Sequence, residues 1–208
     1  MSLTNEKEEM KQIKENKKAL EMAIKSNSKL YGYKTIMDIP YKVIDDFIFI
    51  LLIIANKNIN ISIECKPIIL DKIFWEVFNM QEELSKQPFS FHVNGVHTVK
   101  TLRIKEFEIE YNMADEAKEK FDEIIKHSDK AIKEFIFEIN SIEKFYEKIK
   151  IEELHYLNAI LIKILKKEYK KALKKINECI KNHMSGGFMD KDHKSIIEYA
   201  KEYCEKKI

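Results

Sequence analysis

Two sets of side chains in this sequence have the types and spacing for chemistry. The first is Asp45-Asp46, followed by Glu64 and Lys66 in the run ISIECKP. If that run is a β-strand, Glu64 and Lys66 share a face, because side chains alternate along a strand. Paired carboxylates can hold Mg²⁺ while a neighbouring ammonium orients a water or stabilises charge as a phosphodiester is cleaved. The second set is His92 and His97, on either side of Val93-Asn94-Gly95-Val96. With Asn94-Gly95 as a two-residue hairpin loop, the imidazoles stand opposite each other with Cβ atoms about 4.5–5.5 Å apart. Such a pair can ligate a metal, or sense pH because two protonated rings repel. The bland alternatives are a solvated strand face for the first set and solvent-facing hairpin histidines for the second.

These residues need a scaffold, and the hydrophobic pattern predicts one. Asn5 and Glu8 resemble a capping arrangement, and the apolar stripe Met10, Ile13, Leu20, Ile24 predicts a helix over Glu6 to Asn27. Tyr33 to Met37 reads as a short strand, after which Pro40 is expected to interrupt regular structure. Phe47 to Ala55 (FIFILLIIA) and Ile59 to Cys65 should form a hairpin across Asn56-Lys57-Asn58, the second strand alternating Ile with Asn, Ser and Glu. The loop parity decides the partner of Glu64: an even loop brings Asp45 to its face, an odd one Asp46.

Asp71 is positioned to cap a helix running to about Ser85, with Trp75 buried on its broad apolar arc and Pro88 as its stop. Phe89 to Ile104 then reads as the Asn94-Gly95 hairpin with positive φ at Gly95. Phe107, Ile109 and Tyr111 alternate with Glu106, Glu108 and Glu110, as in a strand with an acidic wet face that discourages edge pairing. From Ala114 the period is helical; Lys133 to Ile139 also fits strand alternation, but helix is preferred. Ile151 to Asn182 predicts a helical hairpin or one long helix, and Gly186-Gly187 separates it from a last helix over Asp192 to Lys206.

Composition narrows the classes. The 208 residues, 45% of them hydrophobic, can bury a sizeable core. The 37 basic residues nearly cancel the 35 acidic ones, which argues against a generic polyanion binder. Cys65, Cys179 and Cys204 are widely spaced and odd in number, as in a cytosolic protein with reduced thiols. The charged start lacks the apolar core of a signal peptide, and FIFILLIIA is far short of the roughly 20 residues of a membrane helix.

Two partial resemblances follow from these runs. Asp45, Asp46, Glu64 and Lys66 look like the D…ExK pattern of restriction-endonuclease-like nucleases, and the order helix, strand, strand pair, helix, strand over Glu6 to Val93 resembles their core. No Pro precedes either aspartate, as it often does in that family, and Glu-x-Lys recurs at Glu15/Lys17, Glu116/Lys118 and Glu168/Lys170. KKEYKKALKKINECI resembles the second half of a tetratricopeptide repeat at Tyr169, Ala172, Leu173, Ile176 and Cys179, but Ile160 stands where that family has a small glycine. One repeat does not make an array, so the segment reads as an ordinary amphipathic helix pair.

The expectation is an α+β fold: an N-terminal helix, a mixed or mainly antiparallel sheet with one inserted helix, and a C-terminal α-helical subdomain. The division falls at 1–113 and 114–208, the second part packed on the first or continuous with it. The favoured function is a cytosolic, non-enzymatic interaction module with a protein partner or self-association, no membrane and no cofactor. The alternative is a Mg²⁺-dependent nuclease using Asp45 or Asp46, Glu64 and Lys66, with nucleic acid as its partner.

Overall fold

A computed structural model describes residues 3–149 and 156–208. In chain order its helices are α1 (Leu3–Asn27), α2 (Ile68–Val77), α3 (Gln81–Leu84), α4 (Phe91–Asn94), α5 (Ala117–Glu138), α6 (Ile142–Ile149), α7 (Tyr156–Leu165), α8 (Tyr169–Lys181) and α9 (Ile196–Glu205). The strands are β1 (Lys34–Ile36), β2 (Ile39–Ile44), β3 (Phe47–Ala55), β4 (Asn58–Pro67) and β5 (Leu102–Glu110). The fold is α+β, with one antiparallel sheet in the order β1-β2-β3-β4-β5. Among the described residues no helix is long and apolar enough to cross a membrane.

Contacts divide the chain into two units that interleave in sequence: Met1–Lys66 with Thr101–Glu138, and Pro67–Lys100 with Ile139–Ile208. This division does not follow the expected one at 113/114, because α5 packs on α1 and β5 and so belongs with the sheet.

In the first unit the strands are joined by tight loops. Met37-Asp38 links β1 to β2 with both residues at positive φ, and Asp45-Asp46 links β2 to β3 with Asp45 at φ 52°. Aspartate tolerates this left-handed region better than most residues, so these aspartates suit turns. Pro40 sits within β2 rather than interrupting it; it precedes the first β2–β3 pair, Tyr41 with Ile50, so its missing N–H falls outside that ladder. One sheet face is closed by α5, where Phe135 meets Phe49 edge-on at 6.1 Å and Phe107 meets His127 at 5.5 Å. Three polar side chains of this layer are paired with one another: Tyr33 donates to Asp129 at 2.7 Å, and the Lys42 ammonium bonds the same carboxylate while lying 4.1 Å above the Tyr33 ring. Burial and the Asp129 charge both push the Tyr33 phenol far above its usual range, so it remains a donor. Buried Asn16 of α1 donates to the Asn112 carbonyl and its own carbonyl accepts from the Tyr111 hydroxyl at 3.0 Å.

The second unit is helical. α7 and α8 form a hairpin around Lys166-Lys167-Glu168, with α9 packed on both. Residues 151–155 of the expected 151–182 hairpin lie outside the described residues. Ser195 caps α9 in a reciprocal capping box with Glu198, and Gly186 and Gly187 supply the positive φ that turns the chain toward it. Lys133 to Glu138 is helical, as preferred from the sequence.

Two predicted elements differ. The helix expected from Asp71 to Ser85 begins earlier, at Ile68 after Pro67, and ends at Val77; Asn79 at φ 58° reverses the chain before the short α3. Asp71 is therefore not a cap but a wholly buried residue within α2. Nor is Asn94-Gly95 a hairpin turn: Phe91–Asn94 is a single helical turn and Gly95 is extended at φ −67°, ψ 150°. Its flanks have no strand to pair with because α2 captures them, as follows.

Candidate functional site

The catalytic residues suggested by the sequence occupy dissimilar surroundings. Asp45 and Asp46 form the exposed β2–β3 turn. Glu64 is half-buried on β4, where Thr101 donates to its Oε2 and Ser62 lies 3.5 Å from its Oε1. Lys66, two positions on, is only 1% exposed. Among the described residues no three His, Cys, Asp or Glu side chains come together as metal ligands.

His92 and His97 do not face each other across a ladder. His92 turns inward from α4, with Nδ1 2.8 Å from Asp71 Oδ2, and its ring stacks on Trp75 at 4.6 Å. The other Asp71 oxygen accepts from the Val99 N–H at 2.9 Å, and the Trp75 indole donates to the His97 carbonyl at 2.7 Å. Three polar bonds from α2 thus fasten the segment between Pro88 and Lys100. A buried carboxylate must be hydrogen-bonded, so each bond removed leaves an expensive orphan. The sequence held one signal for this: Asp71 lies among apolar residues in ILDKIFW, one turn before Trp75, where a solvated face was not available.

The sheet of the first unit carries a different feature. Along β3 the even positions begin buried at Ile48 and Ile50 but emerge at Leu52 and Ile54, the latter 59% exposed. These two form the floor of a hollow of about 450 Å³ together with the wet face of β4. Its rim is charged: Glu64, Glu106 and Glu108 against the single Arg103. Arg103 is committed to Glu106 at 2.8 Å, and Asn58 donates to Glu108. The acidic row of β5 arises simply from alternation, since Ser62 pairs with Glu106, Asn60 with Glu108 and Asn58 with Glu110 while Ile59 and Ile61 are buried. The face can therefore offer apolar contact and a negative field.

A second hollow, of about 570 Å³, lies in the other unit between α2 and α9. It has a polar wall, and Tyr203 donates across it to Glu76 at 2.6 Å. Burial and that carboxylate hold the Tyr203 phenol above its usual range. It shows no exposed apolar floor of the kind that Leu52 and Ile54 make.

Comparison of the chain with protein-family models, with curated proteins and with solved structures finds no match.

Proposed function

We propose that this chain is a cytosolic, non-enzymatic protein-binding module and that the open sheet face of its first unit is the docking surface. The observation that carries this is the emergence of Leu52 and Ile54 at the floor of a charged-rimmed hollow. Single exposed apolar residues are ordinary on protein surfaces. These two instead continue the buried run from Phe47 to Leu51 and share one concave face, and an apolar centre inside a polar rim is the anatomy of a protein interface. All three cysteines are unpaired and buried, which supports a reducing compartment.

A dye attached at Asn60→Cys, on the wall of the hollow, tests the assignment, because the native thiols are buried and react slowly. Amphipathic helical peptides should shift its emission to the blue in a saturable way, and Ile54→Lys should remove the response. If no peptide moves this dye more than one attached at Val96→Cys, a position 77% exposed in the other unit, the docking surface is not here.

A further inference from the structure

We infer that the occupant of this face is a basic amphipathic helix, with an apolar stripe for Leu52 and Ile54 and lysine or arginine on its flanks for Glu64, Glu106 and Glu108; this rests on the docking surface proposed above. Charge is the first ground. The chain as a whole has a formal net charge of +2, yet this hollow presents three carboxylates to one guanidinium, and that guanidinium is already paired. The local field is thus opposite in sign to the protein's, and would steer a basic partner toward it and turn an acidic one away.

Shape and edge chemistry choose a helix over a strand. The opposite face of the same sheet is covered within this unit by α5, an apolar-striped helix laid over Phe49 and Phe107. A helix seated on a groove by residues at helical spacing is a standard recognition mode, and the twisted sheet that accepts one on one side can accept one on the other. Addition of a strand to β5 is disfavoured by its glutamate row and by the register shift between Ile63 and Glu64. A second copy of this chain is a poorer fit: lysine-rich α8 carries Lys170, Lys171, Lys174 and Lys175, but its stripe Ala172, Ile176 and Cys179 is buried, and of its aliphatic residues only half-buried Leu173 and Ile180, 38% exposed, reach the surface.

Three synthetic helical peptides with one leucine stripe and lysine, glutamine or glutamate flanks discriminate, titrated into the full chain labelled at Asn60→Cys. The lysine peptide should bind at least about ten-fold more tightly than the glutamate peptide at low salt, weaken as salt rises, and lose its advantage in the Glu106→Lys/Glu108→Lys protein. Equal or tighter binding of the glutamine or glutamate peptide at the labelled hollow would overturn the charge rule while leaving the docking surface standing. Absence of any response at the hollow, with the labelled protein shown folded by circular dichroism, would overturn both.

Discussion

Glu64 and Asp71 are both carboxylates close in sequence, but they meet opposite conditions. Glu64 stands half-buried on a sheet face, held by hydroxyl groups and bordering an open hollow. Asp71 is fully buried in α2 and accepts from an imidazole and a backbone N–H. Water can replace most of what Glu64 loses if a partner is removed, and none of what Asp71 loses. The charge of the sheet face can accordingly change at little cost to folding, whereas the α2 site is committed to holding the chain together.

The largest effect should therefore come from Asp71→Ala. It strands the Val99 N–H and the His92 ring in an apolar environment, and should destabilise the protein by about 3 kcal/mol in urea titration. Trp75, 4% exposed, reports the same site: its emission should be blue-shifted in the native protein and red-shift on unfolding. A loss under about 1 kcal/mol would mean that Asp71 is no staple.

Gly95→Ala should follow. The backbone there is open to any residue, but an added Cβ would sit 2.3 Å from the Phe91 carbonyl oxygen. A backbone atom cannot swing aside as a side chain can, so a loss of about 1–3 kcal/mol is expected. An unchanged unfolding midpoint would show that α4 and its following turn relax freely.

Much of the sheet was legible because its pattern is local. Ile59, Ile61 and Ile63 alternate with polar residues, and the Asn56-Lys57 turn follows directly on an apolar run, so β3 and β4 need nothing from elsewhere. The segment from Phe89 to Ile104 also has a local hairpin signal, yet Asp71 and Trp75 override it from α2, and no window around Asn94 contains them. The wet face of β4, with Glu64 on it, was likewise readable. The emergence of Leu52 and Ile54 was not, since FIFILLIIA is uniformly apolar and gives no sign of which end leaves the core.

Carboxylates at the surface sharpen the comparison further, through pH. Asp190 is held below the ordinary carboxylate range by the Tyr199 hydroxyl and then by the Lys194 and Asp192 N–H groups; Glu198 is held down by the Ser195 N–H and then its hydroxyl. A carboxyl whose pKa is lower folded than unfolded contributes stability that is present at neutral pH and lost as pH falls through the depressed value. Protection of the α9 amides, taken relative to the intrinsic exchange rate at each pH, should consequently fall below the ordinary carboxylate range and not between neutrality and that range. Protection unchanged down to strong acid would contradict the capping role. Asp190 is half-buried and Glu198 exposed, whereas Asp71 is fully buried, so the effect is smaller than that of Asp71.

Smallest of all should be Glu106→Lys with Glu108→Lys, which should shift stability by no more than about 0.5 kcal/mol because exposed charges contribute little to folding. A loss of several times that in urea titration would mean that the acidic row is structural, and would remove its availability for recognition.

Amide chemical-shift mapping of the full chain with the lysine-flanked leucine peptide tests the central claim most directly. Shifts should concentrate at Leu52, Ile54, Asn60, Glu106 and Glu108 and leave the fastened segment from Phe91 to Val99 unmoved. Perturbations confined to that segment or to α8 and α9, with the sheet face silent at saturating peptide, would contradict the assignment of the sheet face as the docking surface.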